Sequence, residues 1–342
     1  MEKSNNFLVT EPVGKLLLKL SLPAIAAQIV NLLYNLVDRV YIGHMPENGD
    51  LALTGVGVCM SVIMIVSAFS AFVSTGGAPR ASMAMGRGDQ KEAEKILGNS
   101  LTLPILLSVI LTAVLLILNR PLLLAFGASE NTIGFAADYM NIYAIGTIFV
   151  QLTLGMTAFI TAQGFATAGM LSVLIGAVCN IALDPLFIYG FHMGVKEAAL
   201  ATIISQAVST FYVLRFLTGK KTILHIRRQN LQLEAKIMLP SFSLGMSSFI
   251  MQASESIILI CFNSSLLKYG GDVAVGAMTI LTSVMQFSSL PAQGLGQGAQ
   301  PITSYNYGAK NGERVKRTVK LLIACTLGWF NVRFYIYAHQ LE

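Results

Sequence analysis

Gly49-Asp50-Leu51-Ala52-Leu53 returns 222 positions later as Gly271-Asp272-Val273-Ala274-Val275. The same offset lays Ser61-Val62 on Ser283-Val284, Gly76 on Gly298, Pro79 on Pro301, Ser82 on Ser304 and Gly86 on Gly308. Upstream it lays Ser21-Leu22 on Ser243-Leu244. No gap is needed from about residue 21 to residue 98, so the chain carries an internal duplication. A unit that starts near residue 15 and repeats at this offset closes near residue 455 or so, whereas the sequence stops at Glu342. The expectation is a second copy cut short, with roughly a quarter of the doubled unit absent.

The repeated material is apolar. Hydrophobic residues make up 54% of the chain and charged residues 12%, with a mean hydropathy of +0.65. A soluble domain carries about 25% charged residues, so this composition excludes one. Stretches long enough to cross a hydrocarbon core of about 30 Å are expected over 16–42, 50–76, 96–118, 133–160, 165–189, 194–217, 237–263, 273–297 and 316–330. The last is weak, because Asn331-Val332-Arg333 does not continue it as a membrane span. The first lacks a small-residue cleavage site and is too long for a removable signal. Met1–Glu11 reads as a short polar tail.

Loop charges orient these spans, since short cytoplasmic loops collect Lys and Arg. With the N-terminus inside, the inner segments hold Lys3, Lys15 and Lys19; Arg80, Arg87, Lys91 and Lys95; Lys220, Lys221, Arg227, Arg228 and Lys236; and Lys310, Arg314, Lys316, Arg317 and Lys320. The outer loops hold only Arg120, Lys196 and Lys268, with Arg39 near that surface. This bias accounts for the net charge of +6, and its spread over separate loops argues against nucleic acid as a partner. Six spans fit in one period, an even number, so both copies insert in the same sense. They form parallel repeats, a build found in secondary transporters, with a binding cleft expected between them near the midplane. The expected organisation is an N-lobe over 1–217 with spans one to six, a cytoplasmic linker over 218–235, and a shortened C-lobe over 236–342 with spans seven to nine. The fold class is therefore an all-α polytopic membrane protein with about nine of twelve helices.

Several chemistries are excluded. Cys59, Cys179, Cys261 and Cys325 lie in apolar spans without paired spacing, so neither a disulfide framework nor a structural metal site is expected. His44, His192, His225 and His339 form no cluster, and no GxxxxGK[ST] loop is present to hold a nucleotide. No nucleophile and base pair up, so enzyme activity is not expected. No cofactor is called for, and any transport must draw on an ion gradient.

Ionisable groups within spans cost several kcal/mol to bury and mark function. Asn31, Asn35 and Asp38 fall at i, i+4 and i+7, one polar stripe on an apolar helix. Such a stripe faces protein or water; Asp38 either belongs to a site there or pairs with Arg39 at the interface. Asn180 and Asp184 share a face at i, i+4, and Pro185 follows, which cannot donate its backbone nitrogen. An amide, a carboxylate and freed carbonyl oxygens suit a proton or a hard cation such as Na⁺; the same residues also fit a polar helix break near the surface. Glu255 lies mid-span in Gln252-Ala253-Ser254-Glu255-Ser256, too deep to reach the interface, and faces either the cavity or a hydrogen-bonding partner helix. Asp138, at the start of the fourth span, reads as interfacial.

Leu20-Ser21-Leu22-Pro23, Tyr34-Asn35-Leu36-Val37-Asp38, Leu53-Thr54-Gly55-Val56-Gly57, Asn180-Ile181-Ala182-Leu183-Asp184-Pro185, Gln297-Gly298-Ala299-Gln300-Pro301 and Tyr305-Asn306-Tyr307-Gly308-Ala309 together resemble the MATE (multidrug and toxic compound extrusion) family, in its DinF-like and MepA-like bacterial and archaeal branch. The resemblance covers about residues 12–328. It implies two V-arranged six-helix lobes and export of organic cations, drugs and other xenobiotics coupled to H⁺ or Na⁺. Asp38 and Asp184 would be the coupling carboxylates, with Asn180, Tyr139 and Thr202 at matching positions around them. Glu255 matches an acidic C-lobe position that some members use, and Pro23 a helix that members bend. Localisation in the cell inner membrane and a monomeric state are implied with it.

Two departures stand against the family pattern: the helices after the ninth are absent, and Trp329–Glu342 is expected to lie outside the pattern, as a frameshift after Gly328 would leave it. Two other readings follow. One is a transport-incompetent fragment. The other is a lipid-linked precursor flippase of the same superfamily, which the scarcity of mid-span Lys and Arg disfavours. Fifteen Met and eighteen Phe would suit a pliable drug cavity, though packing and lipid contact use the same residues.

Overall fold

The computed structural model describes residues 7–45, 49–190 and 195–340, so His192 falls outside the described residues. Among the described residues the regular structure is helical: α1 (Phe7–Thr10), α2 (Val13–Gly43), α3 (Gly49–Phe69), α4 (Ala78–Gly86), α5 (Gln90–Ile117), α6 (Asn119–Ala125), α7 (Ile133–Ala162), α8 (Ala166–Gly190), α9 (Val195–Leu217), α10 (Ala235–Gly308) and α11 (Gly312–Gln340). A π-helical turn, Phe72–Gly77, links α3 to α4, so that Gly49–Gly86 forms one apolar span. The six long apolar helical stretches through Leu217 match the first six expected spans. Their outward sides carry bare Leu, Ile, Val and Phe, such as Ile117, Ile145 and Phe211, as a lipid-facing surface requires.

The seventh and eighth expected spans lie inside one helical run, α10. A straight helix of that length would be about 110 Å long, yet both ends of α10 pack on the short α4. Arg80 donates to the Ile237 carbonyl and, at 2.8 Å, to Ser241 Oγ, while Gly86 lies against the Tyr305 carbonyl. The run therefore returns on itself, as two antiparallel spans must. The ninth expected span lies in α11, which stays helical beyond Asn331 to Gln340. Asn331 ends the apolar pattern but not the helix, because its amide donates to its own helix at the Leu327 carbonyl (2.9 Å).

The duplication is visible in the backbone. Gly88 takes φ 81° between α4 and α5, and Lys310, one period later, takes φ 57° between α10 and α11. Asp89 then caps α5 by accepting from the Glu92 N–H (2.9 Å), and its counterpart Asn311 accepts from the Arg314 N–H (3.3 Å). The left-handed turn survives even where glycine has given way to lysine, because the following cap holds it.

The two copies meet reciprocally. A Cβ on Gly86 would strike the Tyr305 carbonyl oxygen, and one on Gly308 would strike that of Met83; both pairs are related by the 222-residue offset. Gly245 lies against Phe72 and Gly294 against Ile25, so this seam is backbone on backbone. Phe69, Phe72, Phe242 and Phe249 cluster across it, Phe72 and Phe249 stacked with ring centroids 5.0 Å apart and the other pairs edge-on or tilted. Exchange of equivalent contacts is the mark of a twofold relation. These contacts gather in the halves of the helices nearest the face that carries α1, called here the N-terminal face. Residues 218–234 run along that face. Gln163 Oε1 accepts from Thr222 Oγ1 and from the N–H groups of Ile223 and Leu224 at 2.8–2.9 Å, and Asn99 binds the Asn230 carbonyl and Glu234 N–H.

The N-terminal segment differs from the expected polar tail. Leu8 is fully buried, in a cluster with Leu16, Leu17, Leu20, Ala299 and Ile302 that draws on both copies.

Candidate functional site

Helices α2 and α8 pack side by side within the first copy and bring two carboxyl groups together. Asp38 enters from α2 and Asp184 from α8, at 4% and 0% exposure, and the two carboxyls face each other within hydrogen-bonding range. Asn180, one turn before Asp184, donates Nδ2 to Asp184 Oδ1 at 3.0 Å. α8 continues through Pro185 to Gly190 without a break, but Pro185 brings no N–H to the Ile181 carbonyl.

Three oxygens here lack a hydrogen-bond donor while being shielded from solvent: Asp38 Oδ1, Asn180 Oδ1 and Asp184 Oδ2. Buried polar atoms are normally satisfied, so this set asks for a proton or a small cation. Oxygen-only donors of this kind fit H⁺ or a hard monovalent ion. Among the described residues no group of three His, Cys, Asp or Glu side chains gathers as a metal site would require.

Aromatic hydroxyls enclose the pair. Tyr139, 2% exposed on α7, lies beside Thr202 of α9 and in the field of Asp38. Thr202 donates to the Ala198 carbonyl (2.9 Å). Tyr143 stacks on Tyr139 with centroids 6.3 Å apart and lies beside Ser67. Tyr34 lies close to Asp38 from one turn earlier on α2. Tyr34, Tyr143 and Ser67 were not singled out from the sequence. Their signal was spacing: Tyr34 precedes Asp38 by four residues and Tyr143 follows Tyr139 by four.

Of the remaining candidates, Asn35 lies beside Tyr34 on α2, and the others lie apart from this cluster. Asn31 is exposed, and Asn35 donates to the Asn31 carbonyl (2.6 Å), satisfying its own helix. Glu255 is exposed on α10. Pro23 lies within α2, which runs unbroken through it. Asp138 pairs with Lys196 at 3.4 Å on the face opposite α1, in an exposed setting. A cavity of about 450 Å³, lined by Gln90, Glu94, His225 and Arg227, opens at the N-terminal face and is separate from the carboxyl pair. Its walls include the Arg227–Glu94 ion pair at 2.5 Å, with the carboxylate buried and the guanidinium half-exposed, and the strap over residues 218–234.

The family model MatE matches residues 23–186 and 247–336. The chain belongs to the MatE family. The match takes in Trp329 to residue 336, which the sequence reading sets outside the family pattern; the loss of hydropathy there is not a loss of the family pattern. Multidrug export protein MepA of Staphylococcus haemolyticus is 25% identical over 311 residues, covering 91% of this chain and 68% of that protein. MepA of Staphylococcus aureus strain NCTC 8325 is 25% identical over 316 residues with the same shares. Among solved structures, an outward-facing multidrug resistance MATE transporter of the MOP superfamily superposes with a TM-score of 0.90 at 25% identity, over 98% of this chain and 74% of that one. A MOP superfamily transporter from Pyrococcus furiosus, whose description notes a binding pocket of reversed polarity, gives 0.88 at 25% identity over 95% and 72%. As a MatE chain, this one carries the carboxyl pair wholly within its first copy.

Proposed function

We propose that this chain exports organic cations and other drug-like molecules across the cell membrane in exchange for H⁺ or Na⁺. The observation that carries the reading is the Asp38–Asp184 pair with its unsatisfied oxygens, enclosed by Tyr139 and held by Asn180. Two carboxylates in contact in a medium of low polarity repel strongly, and a proton or a monovalent cation between them removes that repulsion. Binding and release of the cation thus changes the free energy of one helix arrangement relative to another by several kcal/mol. A cationic substrate relieves the same charge, so substrate and coupling ion compete, and exchange follows. Asp38 and Asp184 hold the ion, Asn180 orients Asp184, and Tyr139 with Thr202 closes the site from solvent.

The MepA relatives are named multidrug export proteins, which supports the substrate class. In this reading the N-terminal face, with its Lys and Arg, is cytoplasmic, and residues 1–217 and 236–342 are the two lobes joined by the strap at 218–235. The membrane is the cell inner membrane, and the partners are small organic cations and lipid.

The test is ethidium efflux from cells expressing the chain. Asp38→Asn and Asp184→Asn should each abolish energised efflux at unchanged expression. Full efflux in both variants would overturn the proposal.

A further inference from the structure

We propose that residues 7–11 form a latch that holds the two copies together at the N-terminal face, and that they must leave their seat before that face can open. This rests on the alternating-access reading above. Leu8, at 0% exposure, is wedged between copies. From the second copy, Asn306 Nδ2 donates to the Leu8 carbonyl at 3.1 Å, and Arg314 Nη2 donates to the same carbonyl at 3.0 Å and to the Glu11 carbonyl at 2.8 Å. From the first copy, the Phe7 ring covers Gly164, where a Cβ would lie 2.5 Å from the ring. Lys19 pairs with Glu11 at 3.1 Å and sits 5.1 Å from the Phe7 ring centroid.

The segment therefore has one set of bonds to each copy. Asn306 and Arg314 lie beyond the return of α10, and Gly164 lies at the turn between α7 and α8, so the copies cannot separate here with the segment bound to both. Asn306 is itself fully buried, and its Nδ2 is shared between the Leu8 carbonyl and the Ile302 carbonyl of its own helix (2.8 Å), which orients the amide toward Leu8. The two copies joined this way also meet nearby, where α4 and α10 approach through Gly86 and Gly308 with backbone on backbone. A short segment that fills the mouth of such a seam acts as a removable fastener. The seam sets the fit, and the latch sets how often it opens.

The experiment reads distance, not transport. Lys91→Cys and Lys316→Cys, both exposed and one on each copy, carry spin labels in the full chain with Cys59, Cys179, Cys261 and Cys325 changed to Ser, in lipid nanodiscs. The unlatched variants are Arg314→Ala and, separately, Asn306→Ala with Leu8→Ala. Each should add a longer-distance population, with the open fraction rising about tenfold for the loss of the charge-assisted bonds. Arg314→Lys should restore part of the short-distance population. A single unchanged distance distribution in both unlatched variants, in samples that remain monodisperse, would overturn the latch. A wild-type chain that shows the opening but moves no ethidium would instead count against the export reading alone.

Discussion

Gly308→Ala is expected to push the two copies apart at the N-terminal face. A Cβ there would lie 2.8 Å from the Met83 Cα and closer still to its carbonyl, where ordinary contact begins at 3.4 Å. Its three nearest neighbours are all main-chain atoms of Met83 in α4, which cannot rotate away as a side chain would. Overpacking of this kind costs about 1–3 kcal/mol, and here the cost falls only on the closed seam. The ratio of closed to open forms should fall by roughly 5- to 150-fold. The Lys91→Cys/Lys316→Cys spin-label pair measures that ratio directly. Gly134→Ala supplies the control, since nothing lies within 4 Å of its Cβ position in α7. There the same chemical change should stabilise the protein by up to about 1 kcal/mol and leave the distances alone. If Gly308→Ala and Gly134→Ala gave the same distance distribution, the backbone seam would not be what holds the face closed.

Two further outcomes follow from the same geometry. Gln163→Leu removes one acceptor that serves three donors from the strap, one of them the buried Leu224 N–H; at about 1–3 kcal/mol for each buried group left unpaired, the melting temperature in detergent should drop by several degrees and the strap should become sensitive to protease, and an unchanged melt would refute the anchoring role. Gly164→Ala meets both a φ of 89° and the Phe7 ring, so it should cost about 1–3 kcal/mol and expose residues 7–11 to protease, whereas Gly88→Ala, with φ 81° but open space, should cost only the backbone strain and leave that segment protected.

Much of this was legible because membrane burial leaves a strong imprint on sequence. The 222-residue offset reported the twofold relation before any contact was seen, since Gly86 and Gly308 are required by the same close approach made twice. Asp38 and Asp184 stood out because a carboxylate in an apolar helix is costly enough to need a reason. Tyr34 and Tyr143 did not, since a tyrosine sits in such a helix at little cost and its role appears only when the neighbouring carboxylate is placed. The buried N-terminal segment was illegible for another reason: four residues of helix are too short to show a period, and Leu8 packs on Ala299 and Ile302 while its carbonyl binds Asn306 and Arg314, all about 300 positions away. The anchoring of residues 222–224 by Gln163 is equally long-range. Trp329 to residue 336 misled by hydropathy, because α11 continues there as a helix without continuing as an apolar one.

The central claim is that cation binding at Asp38 and Asp184 drives export, and its direct test is exchange in purified proteoliposomes. The chain and its Asp184→Asn variant are reconstituted with ethidium, and a proton or a sodium gradient is imposed across otherwise empty vesicles. The account predicts ethidium movement against the direction of ion flow under one of the two gradients, and none in the variant. Movement that needs neither gradient, or that persists undiminished in Asp184→Asn, would contradict it.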